Sequence, residues 1–553
     1  MAGPMKIALA QLNPVIGDIA GNTEKIARSI DRAAAGGAEL VVLPELSVAG
    51  YPPRDLLQKE PFLADNLAAV ERLAKRCTKV AALVGFVRAT PGGQGRPLQN
   101  AAALLAGGKV RAVHAKTLLP TYDVFDETRY FEPGPSPQCI EINGRRIGVT
   151  ICEDLQDAVA LGRRLYGQDP IDRLRDQGAQ VIINMAASPY QMGKAAQREE
   201  LFQRQARRCG TPLVYVNQVG GNDELVFDGS SCMVSPGGEI LGRAGSFDED
   251  LLVADTDGPA GRCVPLAPEM SRLSAAIRLG LRDYVRKCGF HSVVLGLSGG
   301  IDSAVAAVLA ADALGPQNVY ALAMPSRYSS DHSLSDAEQL ARNLGIHYHR
   351  IPIEPMHAAF EAALREFLAG GRTEIAAENI QARIRGAVIM AASNAFGHLP
   401  LATGNKSELS VGYCTLYGDM CGGLALIGDV LKTVVCRLAE HLNAGPQGPR
   451  IPPNILRKPP SAELKPGQVD QDKLPPYELL DEILSRYVEA DRTAEQIIAD
   501  GLDPDTVRRV IDMVDVAEFK RKQAAPVLKV TARAFGTGRK MPIAQRYVPG
   551  GGS

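Results

Sequence analysis

Among the ten cysteines of this 553-residue chain, at 77, 139, 152, 209, 232, 263, 288, 414, 421 and 436, there is no CxxC pair. That scatter excludes a zinc ribbon and a disulfide framework, and fits a reducing compartment. Charge of either sign is not in excess: 61 basic residues face 62 acidic ones. No nucleic-acid or other polyanion partner is therefore expected. No stretch reaches the roughly 18 apolar residues of a membrane span. The opening Met1-Ala2-Gly3-Pro4-Met5-Lys6 runs into a strand without a signal-peptide pattern. A soluble, cytoplasmic protein is expected. A GxxxxGK[ST] loop is also missing, so any phosphate-binding loop must be of another type.

The length exceeds what one core accommodates and implies several domains. Residues 1–262 read as short apolar strands alternating with polar-faced helices. Strands are expected at 6–11, 40–44, 80–87, 101–105, 146–152, 181–184 and 213–217, and helices at 22–35, 62–77 and 194–209. The frequent Gly/Pro turns point to a mixed sheet layered with helices. Asp257-Gly-Pro-Ala-Gly-Arg-Cys-Val-Pro-Leu-Ala-Pro268 breaks every periodicity and marks a boundary. Residues 263–553 then read as a helix from Glu269, followed by strand, helix, strand, helix and strand through residue 353. That βαβαβ order is the mark of a doubly wound parallel sheet. The Pro/Lys-rich stretch 452–476 reads as a surface excursion, and the glycine-rich end, 546–553, as frayed.

In the first half, Cys152 ends an apolar strand, Glu45 follows Val-Val-Leu-Pro, and Lys116 precedes a turn. Alone, the cysteine reads as a small buried side chain, and the two charges as solvated or paired. Together and in this order, the three segments resemble the nitrilase superfamily of carbon–nitrogen hydrolases. The resemblance implies an α-β-β-α sandwich with a Glu45–Lys116–Cys152 triad. The residue types suit amide hydrolysis. A thiol that titrates near about 8.5 needs a base. Glu45 can accept and return its proton, and Lys116, with the backbone N–H of Glu153, can face an oxyanion. His114 reads as structural. In the glutamine-hydrolysing branch of that superfamily, Tyr122, Ser188 and Lys194 match glutamine-binding positions. Without the family, Ser188 would be a turn residue before Pro189.

The second half carries Gly296-Leu297-Ser298-Gly299-Gly300-Ile301-Asp302-Ser303 between a strand and an alanine-rich helix. Glycines let backbone N–H groups approach phosphate, the helix start adds positive potential, and Asp302 can ligate Mg²⁺. The loop looks like that of enzymes that cleave ATP to AMP and pyrophosphate, with a plain turn as the bland alternative. Glu378-Asn379 through Arg385, Thr403-Gly-Asn405-Lys406-Ser407-Glu408, Tyr417-Gly418-Asp419, Lys432-Thr433 and Pro460-Ser461-Ala462-Glu463-Leu464 resemble the NAD synthetase family. By that resemblance the fold is Rossmann-like, of the adenine nucleotide alpha hydrolase type. Thr403 and Lys432 join the loop in binding ATP, and Glu408 ligates Mg²⁺ with Asp302. Asn379, Glu408 and Lys520 bind deamido-NAD⁺. Ammonia-only members carry a lysine and an acidic residue where this chain has Leu416 and Gly423.

The resemblance over nearly the whole chain is to glutamine-dependent members. It implies ATP-dependent amidation of deamido-NAD⁺, with ATP, Mg²⁺ and L-glutamine as small-molecule requirements and a homo-oligomer, an octamer, as assembly. Free ammonia would largely protonate at neutral pH, so an enclosed path for it is expected. Another glutamine-dependent amidotransferase with the same ATP loop stays open at this point, as does a binding protein that has lost turnover.

Overall fold

The computed structural model describes residues 4–547 apart from 160, 462 and 466. Ala462 of the Pro460–Leu464 motif and the glycine-rich residues 548–553 lie outside the described residues. The chain divides into two compact units, Met1–Pro268 and Glu269–Ser553.

The first unit contains two six-stranded sheets. One has the order Asp250–Asp255, Lys6–Gln11, Leu40–Val42, Ala81–Ala89, Leu98–Ala106, Lys109–Ala115. The other runs Ile240–Arg243, Cys232–Val234, Leu213–Asn217, Val181–Ala186, Arg145–Ile151, Ile140–Ile142. Side-chain alternation explains the layering. Ile7 and Leu9 pack with Val149, Ile151, Ile183, Val214 and Val216 between the sheets. Ala8 and Ala10, on the opposite face, share a cluster with Ile26, Ile30 and Leu73 of helices Ile19–Ala35 and Glu60–Arg76. On the second sheet, Ile182, Leu213 and Tyr215 meet Leu174, Leu201 and Phe202 of helices Pro170–Asp176 and Lys194–Cys209. Strands covered on both faces read as unbroken apolar runs rather than alternating ones. The result is an α-β-β-α sandwich. Strands 6–11 and 213–217 and helix 194–209 fall where the sequence puts them. The strand Lys109–Ala115 carries charge at its exposed end and shows no apolar run, so it is found only in the structure.

The second unit holds a five-stranded parallel sheet in the order His347–Arg350, Val319–Ala323, Val293–Gly296, Leu399–Ala402, Leu424–Ala425. Later strands add first on one side of Val293–Gly296 and then on the other, so the order reverses at that strand. In such sheets ligands settle at the carboxyl ends of the strands, at the reversal. The glycine-rich loop leaves Val293–Gly296 there. Gly300 takes the N-cap position, so the helix begins at Ile301 and includes Asp302 and Ser303 in its first turn. Residues 452–476 do not form a mere surface excursion. Ile455, Gln468, Asp470 and Leu474 are buried, and the segment folds onto the cavity described below. Its apolar residues are too sparse among Pro and Lys for periodicity to reveal that docking.

A buried lysine locks this unit. The Lys406 ammonium donates to Glu489 Oε1 at 2.6 Å, Thr531 Oγ1 at 2.6 Å and the Arg533 carbonyl at 2.9 Å, and lies 3.0 Å from Asp429 Oδ1. Asp429 also accepts the backbone N–H groups of Val530 and Thr531, both at 2.8 Å. Replacing Lys406 by Met leaves buried carboxylate without its counter-charge, which costs about 3–5 kcal/mol. Lys406→Met is expected to lower the thermal unfolding midpoint of the full chain by several degrees. An unchanged midpoint would contradict this role.

Candidate active sites

In the first unit, chemistry gathers at the carboxyl ends of strands from both sheets. Glu45 lies three residues past Leu40–Val42, Lys116 directly follows Lys109–Ala115, and Cys152 directly follows Arg145–Ile151. Leu46 and Cys152 adopt left-handed backbone, with φ of 45° and 44°. Each costs about 1–3 kcal/mol, which the surrounding bonds must offset. Those bonds are present. Val48 N–H donates to the Gly85 carbonyl at 3.2 Å, and a Cβ at Gly85 would lie 2.4 Å from the Leu46 nitrogen. Only glycine lets the Glu45 turn sit that close. On the cysteine side, Asp154 Oδ2 accepts the Ile151 N–H at 3.0 Å. Its Oδ1 accepts those of Thr117 and Leu118 at 3.0 and 2.7 Å. Asp154 thus ties the cysteine turn to the lysine turn, and His114 Nε2 stands 3.8 Å from it.

Lys116 donates to Glu45 Oε1 at 2.7 Å and to Glu127 Oε1 at 2.7 Å, and all three side chains are buried. Glu45 further accepts Asn100 Nδ2 at 2.7 Å and the Ala187 N–H at 3.0 Å. Tyr51 donates its hydroxyl to Glu127 at 3.0 Å. Sequence reasoning does not single out Glu127; its only signal is its place in the Asp-Glu pair after Tyr122. Burial opposes the charge on Lys116, but Glu127 and Glu45 outweigh it and hold the ammonium well above the usual lysine range. Burial, then the Glu45 carboxylate, push the Cys152 thiol well above its usual range. The Cys152 thiol is therefore held in its protonated form beside the Glu45 carboxylate. Burial pushes the Glu127 carboxyl up to about 7, against the pull of Lys116 and with help from Glu45.

Around this centre, Glu153 accepts the hydroxyls of Tyr122, at 2.9 and 3.0 Å, and Tyr166, at 2.9 Å. Lys194 donates to the Pro189 carbonyl at 3.2 Å, beside Ser188, whose N–H is held by Asn217 Oδ1 at 2.8 Å. Burial raises the Glu153 carboxyl, against the pull of Tyr166, Tyr122, Lys116 and Lys194. Tyr122 and Lys194 thus meet at Glu153, the residue after Cys152, and Ser188 follows Ala187, whose N–H donates to Glu45. Tyr166 and Glu153 join them without any motif to announce them.

In the second unit a cavity of about 290 Å³ opens at the glycine-rich loop. Gly296, Leu297, Ser298, Gly300, Ile301, Asp302 and Ser303 line it with Thr403, Glu408 and Lys432. Gly299 has φ of 77°, and a Cβ there would lie 2.2 Å from the Ser333 carbonyl oxygen. The loop accepts no side chain at that point. Lys432 pairs with Asp302, and Asn405 Nδ2 donates to Asp302 Oδ1 at 3.0 Å. Asn405 and Glu408 cap each other at the start of helix Lys406–Val411. Burial, then the Asp302 charge, push the Glu408 carboxyl up to about 8, against Lys432. Asn379 and Lys520 stand outside the cavity lining. Asn379 Oδ1 accepts Thr415 Oγ1 at 2.8 Å, and Lys520 donates to the Gly412 and Cys414 carbonyls, both at 2.7 Å. Both hold the turn that carries Asp419, which lines the cavity and accepts the Thr415 N–H at 2.6 Å. Arg385, Lys458, Glu463 and Asp470 also line it. At Gly423 a Cβ would lie 2.6 Å from Leu399 Cδ1, so a side chain there requires that leucine end to shift.

The Glu127 carboxyl gives a pH test. The folded chain keeps its proton up to about pH 7, whereas its ordinary value is 4.5. Between those values the folded state binds the extra proton, so this contribution to stability falls as pH rises, and is level above about 7. The stability of wild type relative to Glu127→Gln is expected to decline across that window in unfolding measurements. A difference independent of pH would contradict it.

Comparison with known proteins assigns each unit to a family. Residues 6–262 match the carbon–nitrogen hydrolase family, and residues 273–524 match the NAD synthase family. The chain is 49% identical to the glutamine-dependent NAD(+) synthetase of Synechocystis sp., over 99% of each sequence. It is 41% identical to that of Thermotoga maritima, over 98% of this chain and 99% of the relative. The solved structure of the Acinetobacter baumannii glutamine-dependent NAD⁺ synthetase with ADP superimposes with a TM-score of 0.78, at 38% identity and 98% coverage of both chains. A synthetase structure from Cytophaga hutchinsonii, 22% identical and covering 98% of both chains, shares the fold at a TM-score of 0.83. With a family match in each unit and kinship along its whole length, this chain belongs to the family of glutamine-dependent NAD(+) synthetases.

Proposed function

We propose that the chain makes NAD⁺ from deamido-NAD⁺ and ATP, with the amide of glutamine as nitrogen source. One observation carries the reading: a buried Glu45–Lys116–Glu127 cluster beside Cys152 and an ATP-type glycine loop at a sheet reversal occur in one chain.

In the first unit, Glu45 takes the thiol proton as Cys152 Sγ attacks the glutamine amide carbon. Lys116 spends two N–H groups on carboxylates, which leaves the third for the developing oxyanion. Glu45 returns the proton to the departing nitrogen, ammonia leaves, and water hydrolyses the thioester to glutamate. Tyr122, Ser188 and Lys194 border the space for the amino-acid end of the substrate, where charge-assisted bonds are strong.

In the second unit, a carboxylate oxygen of deamido-NAD⁺ attacks the α-phosphorus of ATP and pyrophosphate departs. Ammonia then displaces AMP from the mixed anhydride. The loop amides and the start of helix Ile301–Leu314 face the phosphates. Asp302 and Glu408 fit a Mg²⁺ site. Both line the cavity, and the Asp302 charge that adds to burial in raising the Glu408 carboxyl is what a divalent cation would offset. Magnesium takes one or two carboxylates and completes its shell with phosphate oxygens and water. When bound, it would neutralise charge on the phosphates.

Cys152→Ala is expected to cut glutamine-driven NAD⁺ formation by at least about a thousandfold while ammonium-driven formation persists. Asp302→Ala is expected to abolish both. Product formation assayed with each nitrogen source checks these outcomes. Absence of NAD⁺ from wild type with either source would contradict the reading.

A further inference from the structure

Three cationic side chains line the ATP-type cavity among the described residues: Arg385, Lys432 and Lys458. Of these, only Lys432 has a close carboxylate partner. Lys432 is paired with Asp302, and Arg385 donates Nε to the Met324 carbonyl at 3.0 Å from a largely buried position. Lys458 differs. Its ammonium donates to Ser333 Oγ at 3.0 Å, and its ion-pair partner, Asp336 Oδ2, is 4.0 Å away. That Asp336 oxygen is buried and has no hydrogen-bond partner of its own. Burial makes the charged form of Lys458 costly, and Glu463 and Asp336 compensate only in part. Lys458 is thus a half-buried cation without a close counter-ion, facing a cavity.

Its position relative to the phosphate loop is fixed from two sides. Ser333, which holds the ammonium, presses its carbonyl against Gly299, where no Cβ fits. Glu463, five residues further on, anchors the segment. Its carboxylate accepts the hydroxyls of Ser333 at 2.6 Å and Ser330 at 3.0 Å, and the Ser330 N–H at 3.3 Å. The backbone is pinned by Glu463 while the lysine stem keeps its freedom, with over a quarter of its side chain exposed.

Resting on the synthetase reading above, we propose that Lys458 binds the β- and γ-phosphates of ATP and neutralises pyrophosphate as it leaves. When the carboxylate oxygen bonds to the α-phosphorus, the bond from that phosphorus to the bridging oxygen breaks. The oxygen keeps the electron pair, so negative charge grows on pyrophosphate. An ammonium beside the loop stabilises that charge more in the transition state than in bound ATP. Lysine suits the task as a compact point charge on a flexible stem.

The test is deamido-NAD⁺-dependent exchange of labelled pyrophosphate into ATP, with Mg²⁺ and without a nitrogen source. Lys458→Met is expected to slow exchange about tenfold to a hundredfold, the range for a lost charge-assisted bond. It should also weaken product inhibition by pyrophosphate by a similar factor, and Lys458→Arg should recover part of both. Unfolding without nucleotide serves as a check on folding, since Lys458 is lightly bonded in the structure. Wild-type exchange and pyrophosphate inhibition in Lys458→Met would overturn the proposal. So would equal losses in the Met and Arg variants, which would mark a packing role. No exchange in wild type would instead count against the synthetase reading itself.

Discussion

A buried ammonium must be met by carboxylate, and three lysines of this chain organise both centres by that constraint. Lys116 draws together Glu45 and Glu127 from separate turns beside Cys152. Lys432 joins the helix Lys432–Asn443 to Asp302 on the phosphate loop. Lys406 ties the segment that carries Glu408 to Asp429, Glu489 and the chain around Thr531. Each ties together segments distant in sequence, and Lys116 and Lys432 each hold a carboxylate at one of the two candidate sites. The same pairing sets the electrostatics. Two carboxylates around one ammonium leave a surplus of negative charge. Burial, with help from Glu45, raises both the Cys152 thiol and the Glu127 carboxyl against the pull of Lys116.

How much of this was legible in the sequence depends on the range of the interaction. The phosphate loop could be read because its physics is local: glycines, a strand before, a helix start after. Strands such as Lys6–Gln11 could be read because burial on both faces leaves an unbroken apolar run. Glu45, Lys116 and Cys152 were legible as a set through family resemblance, since nothing local separates them from solvated charges and a buried thiol. Glu127, Asp154 and Tyr166 were not, because their partners lie far away along the chain or across a turn. The Pro-rich 452–476 segment was misread for the same reason. Its docking depends on single contacts, such as Glu463 with Ser330 and Ser333, that leave no periodic trace. Asn379 and Lys520 show the opposite case, positions carried over by family that support the cavity through the turn bearing Asp419.

The chemistry assigned to the two units is complementary. A buried base–ammonium pair beside a protonated thiol suits the release of ammonia from an amide. A glycine-rich loop with two crowded carboxylates suits a magnesium nucleotide whose α-phosphorus is attacked by carboxylate. Neither half makes a finished product from the other's substrate, so their presence in one chain is explained by transfer of nitrogen between them.

That transfer can be followed directly. Wild-type protein is supplied with ATP, Mg²⁺, deamido-NAD⁺ and glutamine labelled with ¹⁵N at the side-chain amide, together with unlabelled ammonium, and the NAD⁺ formed is analysed by mass spectrometry. The account predicts ¹⁵N in the nicotinamide carboxamide at an enrichment above that of ammonium free in solution. Unlabelled NAD⁺ formed while labelled glutamine is present would contradict it.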